Sequence, residues 1–250
     1  MGDGMAIRPF FVVGWTVKLA LRLLAGKGVL VSYALIEDGR ITTADLRAFC
    51  AAGCDLIFDN GEFSRWKSGR PTNGPAYYDW LRGLDGEGVR WLWAAALDVI
   101  GDAEGTRANW REAQREHADL LPRLVPVFHE GDPWDLLTEY EPERRLVALG
   151  RTEGRASKRA TFTWYDEAFN RHPEMRPHAL GNASPETLEV YPFASFDATS
   201  WERNAAYSNA HGWPFNRCSK ELRMRAYIEA AETMRHVPAR QLGLRFTGAA

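Results

Sequence analysis

Three aspartates each stand directly after a short apolar run: Asp59 after residues 56–58, Asp98 after residues 91–97, and Asp197 after Ser195 and Phe196. His129 and Glu130 follow residues 125–128, Gly150 follows residues 146–149, and Gly181 follows Leu180. A single aspartate in such a position is commonly a helix cap or a turn residue. Three that converge on one site are harder to dismiss. Like charges held close together raise one another's pKa, and a fold tolerates that mainly where the carboxylates have different jobs.

Bringing these groups together requires strands that run in one direction and end on one rim. Eight apolar runs qualify, at residues 10–13, 29–35, 56–58, 91–97, 125–128, 146–149, 178–180 and 194–196, and polar or glycine turns and segments of helical periodicity lie between them. The longer runs are continuous rather than alternating, which suits parallel strands covered on both faces. Crossover helices are predicted at 43–52, which begins with a Thr/Asp-type start, at 109–121, and at 184–190, which opens as Ser-Pro-Glu. The expected fold is α/β, a TIM-like (β/α)8 barrel forming one domain over residues 1–250, with a doubly wound open sheet as the alternative. No glycine fingerprint of the dinucleotide or P-loop kind follows an early strand, which disfavours the open sheet. Residues 219–236 have helical spacing, with Leu222, Tyr227, Ile228, Ala231 and Met234 on or near one face, and are expected to close the barrel.

Composition bounds the remaining choices. A chain of 250 residues, 45% hydrophobic and 26% charged, can bury a large core. Its apolar N-terminal stretch, residues 10–24, is interrupted by Lys18 and Arg22 and is too short to span a bilayer, so no membrane partner is expected. Three cysteines, Cys50, Cys54 and Cys218, make no even disulfide framework, and a reducing, cytoplasmic location is the expectation. The net charge of −2 argues against indiscriminate nucleic-acid binding, although basic residues gather at Arg144, Arg145, Arg151, Arg155, Lys158 and Arg159 and again at Arg217, Lys220, Arg223 and Arg225. Monomer and homodimer are both left open.

The run Asp59-Asn60-Gly61-Glu62-Phe63-Ser64 resembles the Asp-Ser-Gly-Gly-(Phe/Tyr)-Gln motif of tRNA-guanine transglycosylases. Ser195-Phe196-Asp197-Ala198-Thr199-Ser200-Trp201 resembles the segment around that family's nucleophilic aspartate. Between them, Ala96-Leu97-Asp98, Val127-Phe128-His129-Glu130-Gly131, Ala148-Leu149-Gly150 and the run beginning Leu180-Gly181-Asn182 fall where the superfamily places its other base-binding loops. The resemblance spans roughly residues 29–201 and is closer still to the short phage and mobile-element branch, which includes DNA-modifying transglycosylases that insert 7-deazaguanines.

What the resemblance implies is specific. Asp197 would be the nucleophile that attacks the anomeric carbon of a target nucleoside, and Asp59 the proton shuttle and a base contact. The transition state at such a carbon is oxocarbenium-like, so one carboxylate meets positive charge while a second carboxyl group protonates the departing base. Asp98 would accept from the N1–H and exocyclic amine of a guanine-type base, a pattern adenine cannot supply. Phe63 and Leu180 would sandwich the base, Gly150 and Gly181 would contact it through backbone, and His129 or Glu130 would stand where the tRNA enzymes carry a glutamine. The implied substrates are nucleic acid, DNA or RNA, and a guanine or 7-deazaguanine base, with no cofactor.

The chain also departs from the family. Asn60 and Glu62 replace its usual Ser and Gly, and Arg151 follows Gly150 where many relatives have another glycine. The tRNA enzymes bind zinc through Cys-x-Cys-x2-Cys and a His, whereas Cys50 and Cys54 have helical i, i+4 spacing far from Cys218, so no metal is expected. About fifty residues follow Trp201, which leaves no room for the family's RNA-binding additions and favours DNA over tRNA. A base-removing N-glycosidase of the same architecture and a non-catalytic nucleic-acid-binding barrel remain alternatives. A metal-dependent barrel hydrolase using Asp59, Asp98, His129 and Asp197 lacks the His-x-His or carboxylate clusters it needs.

Overall fold

The computed structural model describes residues 5–14, 17–70, 74–150, 157–182, 184–198, 201 and 219–236. In chain order the strands of the main sheet are β1 (Arg8–Val13), β2 (Gly28–Ser32), β3 (Asp55–Asp59), β4 (Trp91–Ala95), β5 (Leu124–Val125 and Val127–His129), β6 (Ala148–Gly150), β7 (His178–Leu180) and β8 (Ser195–Ala198). All are paired in parallel, each with its neighbours in sequence, and β8 pairs back onto β1 with Asp197 opposite Phe10. Closure is made at β5. Its first half pairs with β4 and its second with β6, and the switch occurs at Pro126, which has no N–H to offer either neighbour but accepts from Ala148 N at 2.9 Å. The result is an eight-stranded TIM-like barrel, the expected (β/α)8 class.

Alternation along each strand sorts the side chains. Phe10, Leu30, Ile57, Trp93, Ala95, Val125, Val127 and Ala148 fill the barrel interior as one cluster, with Val12, Leu146 and Leu180 packed against it. The intervening residues, among them Phe11, Val13, Val29, Val31, Leu56 and Phe58, face the surrounding helices in a second, larger cluster. Because both faces are covered, the strands read as continuous apolar runs. The eight runs seen in the sequence are the eight strands, with shifted ends. The run at 29–35 stops as a strand at Ser32, because Tyr33–Glu37 turns into a short helix at the rim.

The helices are α1 (Val17–Leu23), α2 (Tyr33–Glu37), α3 (Thr43–Ala51), α4 (Glu62–Ser68), α5 (Gly74–Gly86), α6 (Ala103–Glu116), α7 (Trp134–Glu139), α8 (Lys158–Arg171), α9 (Pro185–Leu188) and α10 (Lys220–Glu232). The start of α3 is a capping box in which the Thr42 side chain and Asp45 bond each other's backbone N–H. The helix expected at 109–121 is displaced: Asp102 caps Gly105 N at 2.9 Å and starts α6 six residues earlier than read from periodicity, and the chain leaves the helix after Glu116 for a separate turn, Leu121–Arg123, containing Pro122. α10 packs on β1 and buries Met224, Ile228 and Ala231, while Leu222, expected on that face, is 53% exposed. After it, Arg235–His236 pairs antiparallel with Met5–Ala6.

Among the described residues no helix is long and apolar enough to cross a membrane. Much of the basic charge is matched by acid: Arg144 and Arg145 pair with Glu141, Lys158 with Glu186 and Arg225 with Glu221. Arg151, Arg155, Arg217 and Cys218 lie outside the described residues.

Candidate active site

The inward positions at the C-terminal ends of the strands hold the polar residues that the sequence singled out. Asp59 ends β3, His129 ends β5, Gly150 ends β6, Leu180 ends β7 and Asp197 lies within β8, while Asp98 is in the segment after β4. Asp98 and Asp197 are 4% and 5% exposed, and the negative charge of both is felt at Asp59. The three carboxyl groups therefore share one mouth, as the spacing required.

Asp59 is where their competition is resolved. Loss of hydration pushes its carboxyl up to about 6; the hydroxyl of Ser32, its register partner on β2, pulls the other way, and the charges of Asp98 and Asp197 push it up again. Gly61 N, 3.1 Å from Oδ2, offsets part of the rise. That amide is presented by a left-handed backbone, φ 84°, against which a Cβ would sit 2.8 Å from Ala34 N, so the turn after β3 needs glycine.

The raised value has a thermodynamic consequence. The folded state keeps a proton on Asp59 that the unfolded chain releases near its ordinary value, so stability falls as pH rises from about 4 to about 6, and the ionised group is a net cost above that. Asp59→Asn is thus expected to stabilise the protein by roughly 1–3 kcal/mol at pH 7.5, the energy equivalent of the shift, and to change little at pH 4. Thermal melts at both pH values check this, and a variant less stable than wild type at pH 7.5 would contradict it.

Asp98 is held from two sides. Asn60 Nδ2 donates to its Oδ1 at 2.6 Å and also to Ala96 O at 2.6 Å, and His129 Nε2 lies 2.9 Å from Oδ2. Asn60 Oδ1 in turn accepts from Glu62 N at 3.0 Å, so this residue ties the loops after β3 and β4 together. The departure at Glu62 is equally structural. Its carboxylate pairs with Arg65, which is 2% exposed, at 2.9 Å, and Arg65 also pairs with Glu37 and covers the Tyr33 ring. Glu62 is thereby engaged with α4 and α2.

His129 and Glu130 separate by strand alternation. His129 turns inward to Asp98 and carries a second acid, Asp132, whose Oδ2 is 2.8 Å from the backbone N and 3.5 Å from Nδ1. Burial works to lower the imidazole, but hydrogen bonds to Asp132 and Asp98 and their charges outweigh it and raise it to about 9, so His129 is a cation at neutral pH. Glu130 donates its N–H to Gly150 O at 3.1 Å and is one of the residues, with Trp66, Ile100, Gly101, Ala103, Gly131 and Asp132, around a cavity of about 420 Å3. Gly150 lets the His129 ring lie close, since a Cβ there would be 3.1 Å from His129 Cδ2 and 3.6 Å from Leu180 Cδ2.

On the opposite side Gly181, at φ 67°, donates its N–H to Asp197 Oδ1 in a short hydrogen bond. Phe63 is on α4, 37% exposed, its ring stacked on Trp66 at 6.1 Å and 30° with the Lys67 ammonium 4.5 Å from its centre. Leu180 is half-buried at the top of the interior cluster. The two residues expected to sandwich a base thus stand at the rim and at the mouth.

Two participants were not singled out in the sequence. In the sequence Asn60 stands out only as a departure from the family motif, and His178 only as part of an apolar strand run. His178 is fully buried inside the barrel with Nε2 3.4 Å from Asp197 Oδ1. The available signal was its position: two residues before Leu180 in a strand, it must share the inward face. Among the described residues no group of three or more His, Cys, Asp or Glu side chains could hold a metal ion, and Cys50 and Cys54 are buried free thiols whose Sγ atoms face Arg90 O and Leu24 O.

No protein-family model matches the sequence, and no curated protein matches it. One solved structure that matches is described as "Native KDPGal structure", with 12% identity over 92% of this chain and 95% of that one and a TM-score of 0.49. A likeness at that level says nothing about chemistry, and the assignment of this chain to the (β/α)8 barrels rests on its own strand pairings.

Proposed function

We propose that the chain is a base-exchange transglycosylase that replaces guanine in nucleic acid, DNA in preference to tRNA, with a 7-deazaguanine through a covalent aspartyl-glycosyl intermediate. The observation that carries this reading is the division between two carboxyl groups at one mouth. Asp59, pushed up to about 6, can hold or release a proton near neutral pH, while Asp197 is bonded by a backbone N–H that fixes its direction. A nucleophile and an acid/base of this kind are what two-step substitution at an anomeric carbon requires.

In the first step an Asp197 oxygen bonds to the anomeric carbon, the bond from that carbon to the guanine nitrogen breaks, and the leaving nitrogen takes the proton from Asp59. In the second, the ionised Asp59 removes a proton from the incoming base, whose nitrogen displaces Asp197 from the sugar. Atoms and charges return to their starting state. Asp98 reads the base: an ionised carboxylate offers about four acceptor sites, and Asn60 and His129 each occupy one, leaving capacity for the paired donors of guanine. The target nucleotide must leave its stack to reach this depth, so single-stranded or locally opened substrate is favoured.

The test is exchange of labelled guanine into single-stranded DNA and RNA, with a denaturing gel to trap the protein–nucleic acid adduct and mass spectrometry of nucleosides from expressing cells. Incorporation of label together with an adduct supports exchange. An adduct that resolves to an abasic site without incorporation converts the reading to an N-glycosidase, and absence of any adduct with either nucleic acid overturns it.

A further inference from the structure

The barrel interior beneath the mouth is built from aliphatic and aromatic side chains, with the imidazole of His178 among them. His178, on β7, is 0% exposed. Its ring meets Trp93 edge-on at 4.9 Å and 70° and Phe10 at 6.2 Å and 65°. Nδ1 is 2.8 Å from the hydroxyl of Ser195, the residue directly opposite on β8. Nε2 is inaccessible to solvent and makes no hydrogen bond of normal geometry, yet it is 3.4 Å from Asp197 Oδ1. A fully buried ring nitrogen without a partner calls for an explanation, since a hydrocarbon ring of similar size would fill the same space without that cost.

We propose that His178 is a positioning residue that, with its tautomer set by Ser195, anchors Oδ1 of Asp197 and leaves Oδ2 as the attacking oxygen. The inference rests on the transglycosylase reading and adds the orientation of its nucleophile. The tautomer follows from both partners together, since the Ser195 hydroxyl can donate to Nδ1 or accept from it while the Asp197 oxygen beside Nε2 can only accept. A neutral imidazole has one N–H and one bare nitrogen. The Ser195 hydroxyl can donate to Nδ1, which puts the ring proton on Nε2, aimed at Asp197. Gly181 N–H reaches the same oxygen from the loop after β7. Both donors converge on Oδ1, so rotation of the carboxylate is restrained and Oδ2 is left outside their grip. The 3.4 Å contact is long for a hydrogen bond, and catalytic contacts of this kind commonly tighten when the reacting group is bound.

The test has two arms. In the ligand-free protein labelled with 15N-histidine, His178, assigned by its loss in His178→Gln, is expected as the Nε2–H tautomer, with Nδ1–H appearing in Ser195→Ala. An Nδ1–H tautomer in the wild type overturns the proposal without touching the transglycosylase reading. In single turnover, His178→Phe keeps a ring against Phe10 and Trp93 but has no donor, and is expected to form the adduct about tenfold or more slowly, the scale on which misplacement of a reacting group acts, with oligonucleotide affinity unchanged. His178→Gln, whose amide N–H can reach Oδ1, is expected to recover most of the rate. His178→Phe as fast as wild type, or His178→Gln as slow as His178→Phe, defeats the proposal. If wild type forms no adduct, the parent reading fails and the anchoring of a nucleophile fails with it. A variant that does not fold is recognised by its melt, and the tautomer measurement on wild type still decides.

Discussion

Asp197→Asn is expected to abolish covalent capture of a nucleic-acid substrate, slowing adduct formation by about 10^4-fold or more, while leaving oligonucleotide binding close to wild type. Losses of that size are typical when a nucleophile is removed from a site that still binds its substrate. The amide keeps the volume of the side chain and an oxygen that can still accept from Gly181 N–H, so the mouth is not expected to collapse. Asp59→Asn is expected to differ in kind. It removes a proton carrier, a loss of about 10^2- to 10^4-fold, and with it the pH dependence. Adduct formation consumes the proton on Asp59, so in the wild type its rate is expected to fall about tenfold per pH unit above about 6, the value that burial and the neighbouring carboxylates impose. In Asp59→Asn that limb is expected to be flat. The measurement is a set of single-turnover rates from pH 5 to pH 8.5. If Asp197→Asn still forms the adduct and Asp59→Asn does not, the two roles are exchanged.

Asp98→Asn is expected to erase the preference for guanine over hypoxanthine, which lacks the exocyclic amine, by about tenfold to a hundredfold, and to weaken the fold in a pH-dependent way. The first effect follows because the amide swaps one acceptor for a donor that faces the base's own donors in a site closed to water. The second follows from His129. Its imidazole is raised to about 9 in the folded protein, with burial opposing the rise and Asp132 and Asp98 producing it, against an ordinary value of about 6.5. A raised imidazole contributes stability that is complete below the unfolded value and is lost as pH rises through about 9. The whole shift corresponds to on the order of 3 kcal/mol, shared between the two acids, so Asp98→Asn is expected to cost roughly 1–3 kcal/mol at pH 6, with the deficit shrinking by pH 9.5. Urea unfolding at the two pH values checks the stability effect, and competition between guanine and hypoxanthine checks the selectivity. A deficit independent of pH would remove His129 from the account, and an unchanged guanine preference would remove Asp98 from base recognition.

The three aspartates were legible because a parallel barrel converts a local pattern into a place. Whatever follows an apolar strand arrives at the C-terminal rim, and strand and rim are both written in consecutive residues: 56–58 then Asp59, 91–97 then Asp98. The class of fold was legible for the same reason, since eight separate runs with helical segments between them admit few closed arrangements. Helix starts that depend on capping were read where the cap adjoins the periodic stretch, as at Thr42, and misread where it does not, as at Asp102.

The sequence by itself therefore determined the barrel, its strands and the polar residues that follow them, because periods of two and 3.6 residues and strand-end positions are local properties of the chain. Only the tertiary structure decided what those residues do to one another. That Asn60 bridges to Asp98, that His129 meets the same carboxylate, and that His178 stands under Asp197 all depend on the register between strands. Register is set by packing of the whole barrel, including the switch at Pro126, and groups 17 to 38 residues apart in sequence become hydrogen-bonded neighbours only once it closes. The pKa of Asp59 belongs to the same category, since it is the sum of lost water and charges delivered by other strands.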